Sequence, residues 1–397
     1  MGQKLLIKNI LISYLYLSFS TPITFLLIGL PMILHLQNLS PAAIGLFQLV
    51  SIPYIIAFLF SPIIEGIAFK KSHYKKWILI FTIIYIVLLF MISDFSLKEN
   101  YYLLFCLILL TVFTSTLLDI PLNALATKIF TKEEQSSAGG FKSTAYFSSA
   151  IIGNGVMLLI YNIVGWKYTI FSIILLMLPS LFMLYFIEER NNIVHKKTIQ
   201  YNQIIKFFQQ KNILIWLIIL VTYFMFLSPL WIFLKPYLLS KGFEANTVAA
   251  LAGLLGSFIA VAGSLGFSFF AKNLDKKLLL FRFTFFSFFT ICLFLVLEFF
   301  DLPFFYILIC IFAIALSKAL STSILFAMIM NNCREEYKAI DYSVQLSLSA
   351  TGRVLFGMIA GILIEMFTYK GLFIVCFVGM LIVVFIVYRY LKSSIKY

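Results

Sequence analysis

Charge is what this sequence has least of. Asp, Glu, Lys and Arg make up 12% of its 397 residues, against about 25% in ordinary soluble domains. Acids are the scarcer kind, 16 against 30 Lys and Arg, which leaves a net charge of +14. With 62% hydrophobic residues and a mean hydropathy of +1.03, a soluble globular domain is excluded. The five cysteines, Cys106, Cys292, Cys310, Cys333 and Cys376, are scattered without paired spacing or histidine companions. No disulfide framework or zinc site is recognisable in them. His35, His73 and His195 fall in loops or at helix ends and form no metal or catalytic constellation. There is no Walker loop, nucleophile elbow or zincin motif. The chain is therefore not expected to be an enzyme, to be driven by ATP, or to hold a cofactor or metal.

Long apolar runs are abundant, and runs of about eighteen residues or more are the mark of transmembrane helices. Twelve segments are predicted, at 9–35, 41–66, 77–93, 100–127, 141–163, 168–187, 213–238, 247–270, 278–299, 304–331, 342–367 and 371–388. The first, behind Lys4 and Lys8, is too long for a signal peptide and lacks a small-residue cleavage site, so it reads as a retained helix. With both termini in the cytoplasm, twenty-one cations fall on the inner side and only Lys98, Lys167, Lys241 and Lys370 in outer loops. That asymmetry is the positive-inside bias. Lysines spent on topology do not make a nucleic-acid surface. The expected partners are a lipid bilayer, a small solute and protons, with the chain a monomer. The fold class expected is an all-α polytopic membrane protein.

One long polar connection divides the spans six and six. It runs from Ile187 to Lys211 and includes Glu188, Glu189, Arg190, Lys196 and Lys197, with a short interfacial helix expected over 204–208. The predicted organisation is an N-terminal half at 1–187, a linker at 188–211 and a C-terminal half at 212–397. The halves repeat. Phe130-Thr131-Lys132-Glu133-Glu134-Gln135 aligns with Asn332-Cys333-Arg334-Glu335-Glu336-Tyr337, and Gly165-Trp166-Lys167 with Thr368-Tyr369-Lys370, at an offset close to 202. Segments 77–93, 168–187 and 371–388 contain no charge, as expected of helices facing lipid.

Deep charges carry the functional reading. Lys318 and Arg353 lie near the middle of successive spans. A charge at that depth costs at least roughly 2.5–3.5 kcal/mol, so such residues face a polar cavity and have a task. No acid sits at similar depth on neighbouring spans. The pair therefore reads as a site for an anionic solute, the alternative being an internal salt bridge. Asp119 lies about eight residues, roughly 12 Å, inside the fourth span and two before Pro121. It is either a proton carrier or one side of a fixed ion pair or gate with Lys142. Glu65 ends the second span before a basic loop. There it either pairs alternately with a cation or a helix N-terminus, as a gate, or is a surface carboxylate. Tyr146, Tyr223 and Trp231, with Tyr14 and Tyr54, either line the cavity or pack as most aromatics do.

Two repeated six-helix halves resemble the major facilitator superfamily, whose substrate site lies between the repeats near mid-membrane. Within it, Ala57–Glu65, the segment from Asp119 to Ala126, and Asp341 to Arg353 with Gly357 and Gly361 resemble the branch of muropeptide, acetyl-CoA and siderophore permeases. In that branch the first stretch typically ends in aspartate and arginine, where this chain has Glu65-Gly66. The second carries two aspartates, where this chain has Asp119 and Asn123. The resemblance implies a secondary transporter of the bacterial inner membrane, proton-coupled and working by alternating access. A compact chain of twelve spans is similar to siderophore importers of the rhizobactin and pyochelin type. The alternatives are a muropeptide permease or a drug or metabolite exporter.

Overall fold

The computed structural model describes residues 2–30, 33, 50, 52–67, 69, 71–95, 101–189, 199–210, 213–271, 274–300 and 303–392, and these are helical almost throughout. The helices that carry the argument are α1 (Gln3–Thr24), α2 (Ser61–Gly66), α3 (His73–Ser93), α4 (Tyr101–Ile129), α5 (Gln135–Ile151), α6 (Met157–Phe186), α7 (Ile213–Ile232), α8 (Gly256–Phe270), α9 (Lys276–Phe299), α10 (Phe304–Asn331) and α11 (Lys338–Lys392). The linker helix is present at Asn202–Phe208. Nine helical stretches among the described residues are long and apolar enough to cross a membrane. Two of them, 52 and 55 residues long, are each broken by one residue of positive φ. The breaks fall at Gly165 (φ 79°) and Thr368 (φ 58°), the repeat-related outer turns of the sequence. The span expected at 41–66 is seen only from residue 50 on, with residue 51 also outside the described residues.

The fifth and eleventh spans start earlier than hydropathy suggests, at Gln135 and Lys338. Their opening turns are polar, so an apolar window passes over them, yet Gln135, Ser136, Ser137 and Asp341 are buried by packing. Among the described residues three π-helical segments interrupt the helices, at Phe25–Gly29, Ile152–Val156 and Ala249–Leu255. The first two meet where Thr24 Oγ1 donates to the Ser149 carbonyl at 2.8 Å.

The chain forms two compact units. One comprises Met1–Thr131, Ala145–Ile205 and Cys333–Val344; the other Lys132–Thr144, Lys206–Asn332 and Gln345–Tyr397. The opening turns of α5 and α11 thus each belong to a different unit from the rest of their helix. The backbone at Gly139 and Gly140 presses on α10 and α8, whereas Gly155, Gly266, Gly357 and Gly361 have open space around them.

Candidate functional site

In the second unit α10 and α11 each set a deep cation near α7. Lys318 on α10 is buried, 8% exposed. Its Nζ donates to Ser228 Oγ at 3.0 Å and lies 4.2 Å from the centroid of the Phe224 ring. Phe224 and Ser228 are four residues apart and so share a face of α7. Val221 continues that face one turn earlier, and α11 closes on α7 there. The residue it presents is Gly352, whose absent Cβ would overlap the Val221 carbonyl. The next residue is Arg353, exposed and near enough for its charge to act on Lys318. Among the described residues neither cation has a carboxylate at ion-pair distance. Glu365 is exposed twelve residues further along α11, roughly 18 Å at the helical rise.

Behind Lys318 runs a buried chain of hydroxyls. Tyr223 shares a hydrogen bond of 2.8 Å with Ser321. Ser287 pairs with Ser317 at 2.7 Å and with Ser321 at 3.2 Å. Burial of polar groups is tolerated when they satisfy one another, and this chain ties α7, α9 and α10 behind the cation. Tyr223 is 0% exposed and packs between helices. Trp231 covers Gly256 of α8. Lys142 is buried, with Nζ 4.2 Å from the centroid of the Phe326 ring.

The remaining candidates belong to the first unit. Asp119 is half-buried on α4, within electrostatic reach of Tyr16, Tyr85 and Tyr342. One turn on, Asn123 Oδ1 accepts a hydrogen bond from Tyr16 at 2.8 Å. Tyr146 is exposed, with its ring edge on Phe147 at 5.4 Å. Asp119 and Lys142 fall in different units.

Glu65 is buried, accepting from the Tyr74 hydroxyl at 3.0 Å and from the Ala339 backbone N–H at 2.9 Å. Ala339 stands in the first turn of α11, where backbone donors have no helical partner and the dipole favours an anion. Three further anchors surround this contact, none of them expected. Glu189 accepts from the backbone N–H of Tyr74 at 3.3 Å and of Lys75 at 3.2 Å, and pairs with Lys128 at 3.0 Å. Arg334 grips Asp341 through Nε at 2.9 Å and Nη2 at 2.6 Å, and donates to the Gln203 carbonyl at 2.9 Å. Ile199 Cα lies 2.8 Å from where a Cβ on Gly66 would stand.

In sequence these groups look like topology charges in loops; tertiary structure makes them partners, in part through Glu189 and Gln203 of the linker. The glycine at 66, where the resembling branch carries arginine, is the one signal that something passes close by. A related contact recurs in the second unit. Lys276, which follows Tyr74 by 202 positions, donates to Gln135 Oε1 at 3.1 Å in the first turn of α5 and to Asn331 Oδ1 at 3.2 Å.

A fold of many long apolar helices, with charged side chains set deep within it, fits a membrane transporter. Residues 10–357 match the Major Facilitator Superfamily, and the chain belongs to that family. It is a multi-pass membrane transporter. Among curated relatives, the Rickettsia bellii protein named as transporter AmpG 1 is 26% identical over 360 residues, covering 85% of this chain and 87% of its own. The AmpG 2 protein of Rickettsia typhi is 24% identical, over 96% and 95%. Among solved structures, a bacterial homologue of the iron transporter ferroportin in an outward-facing state superposes with TM-score 0.76 at 14% identity, over 97% and 99%. The proton:xylose symporter XylE gives 0.74 at 10%, over 97% and 95%. At such identities the superpositions speak for the fold alone.

Proposed function

We propose that the chain imports peptidoglycan fragments, that is, it is a muropeptide permease of the bacterial inner membrane. The carrying observation is that relatives named AmpG, a name belonging to muropeptide permeases, align over 85% and 96% of its length. These relatives favour the cell-wall fragment over the ferric siderophore that compactness first suggested. Twelve spans with both termini in the cytoplasm complete this reading, so that the cation-rich ends, with Glu65 and the start of α11, face inward. Transport proceeds by alternating access with proton symport. Asp119, set among Tyr16, Tyr85 and Tyr342, is the proposed proton carrier, since a half-buried carboxyl can exchange its proton between two environments.

Uptake into inverted and right-side-out vesicles tests this. A labelled anhydromuropeptide is expected to accumulate in right-side-out vesicles only when a proton gradient is imposed. Accumulation of a labelled ferric siderophore in its place would overturn the substrate assignment. Uptake indifferent to the gradient would overturn the coupling.

A further inference from the structure

Two positive groups held in the apolar layer, with no counter-anion among the described residues, are expensive unless something else supplies the negative charge. Arg353 is exposed near the middle of its span, about fifteen residues or roughly 22 Å from the start of α11. A charge at that depth is costly against lipid, which argues that the arginine serves a water-filled cavity. The contacts of Lys318 among the described residues are one hydroxyl and one ring face, both neutral, with the like charge of Arg353 nearby. Both arrangements hold a cation in place without neutralising it.

We propose that Lys318 and Arg353 form the seat for a carboxylate of the transported solute, with Ser228 holding the lysine in position while the seat is empty. The guanidinium offers a planar fork that matches a carboxylate, and the ammonium adds a point charge. On arrival of the anion, Lys318 exchanges the Ser228 hydroxyl for a carboxylate oxygen, and the Phe224 ring keeps water off its other side. The Gly352 contact with Val221 holds the backbone next to Arg353 against α7. The specificity follows from the chemistry: free carboxyl groups are required, and neutral fragments of the same shape are refused. This deepens the reading of the chain as a muropeptide permease and rests on it, because a muropeptide supplies such carboxylates.

The test compares a labelled anhydromuropeptide with free carboxyls and the same fragment with its carboxyls amidated, in proteoliposomes holding the full chain. For the wild type the free acid is expected to compete better than the amide by on the order of tenfold, the effect of losing one charge-assisted contact. Lys318→Gln and Arg353→Gln are expected to bring that ratio close to one, while Arg353→Lys keeps part of it. Ser228→Ala is expected to weaken acid binding by a few-fold and leave the ratio above one. A merely structural role would lower uptake of both fragments and leave the ratio alone.

Equal uptake of acid and amide by the wild type overturns the seat and leaves the permease reading standing, as does a wild-type ratio in both Gln variants. Should a Gln variant fail to insert, the wild-type ratio and Arg353→Lys decide. If neither fragment enters while a carboxylate siderophore does, the muropeptide reading falls. The same acid and amide comparison on that siderophore then judges the seat.

Discussion

Glu65 and Ala339, 274 positions apart in sequence, are joined by a 2.9 Å hydrogen bond from the backbone N–H of Ala339 to the carboxylate. A side chain that ends one helix therefore caps another. Glu65→Ala leaves that N–H and the Tyr74 hydroxyl without their acceptor in a buried place, a loss of about 1–3 kcal/mol. The start of α11 is then expected to loosen. Cys333, five residues before Lys338 and half-buried, reports it: maleimide labelling at Cys333 is expected to speed up in the variant. Unchanged labelling would mean that the cap contributes nothing to closure.

Glu189 holds three donors at once, two backbone N–H groups of α3 and the Lys128 ammonium. Glu189→Ala removes the acceptor for all three and is expected to destabilise the protein more than Lys128→Met, which removes one. The order of apparent melting temperatures in detergent, wild type above Lys128→Met above Glu189→Ala, checks this.

Gly352 lies against the Val221 carbonyl. Gly352→Ala forces α11 away from α7, a crowding of about 1–3 kcal/mol. Because Arg353 follows directly, solute affinity is expected to fall together with stability. An alanine variant with wild-type affinity and melting temperature would show that the two helices have room to spare.

Thr368 adopts φ 58° and ψ −173°, a region open to glycine and costing other residues about 1–3 kcal/mol. At the matching turn of the other repeat the chain has Gly165, at φ 79°. Thr368→Gly is expected to raise the melting temperature and Gly165→Thr to lower it, with uptake unchanged in the first. A fall on Thr368→Gly would mean that side-chain packing there outweighs backbone strain.

Much of the fold could be read ahead of the structure because lipid imposes one rule, that every backbone group be satisfied within its own helix. Apolar run length then marks the spans, and the recurrence of Gly165-Trp166-Lys167 as Thr368-Tyr369-Lys370 marks the hairpin breaks at the positions where they occur. The early starts of α5 and α11 escaped that rule because Gln135 and Asp341 are polar and are buried by neighbours distant in sequence.

The deep cations were visible for the same reason as the spans, since a lysine or arginine in an apolar stretch stands out however the chain folds. Lys318, Arg353 and the absence of nearby acid are facts of composition along the chain. That Lys318 rests on Ser228 and Phe224, that Tyr223 turns into the packing, and that Glu65 meets Ala339 were decided only by tertiary structure. Hydropathy acts on each residue singly and survives in the sequence. A hydrogen-bond partner is chosen by how helices approach one another, through a bare Gly352 here and a passing Ile199 there, and that choice belongs to pairs of residues the sequence keeps far apart.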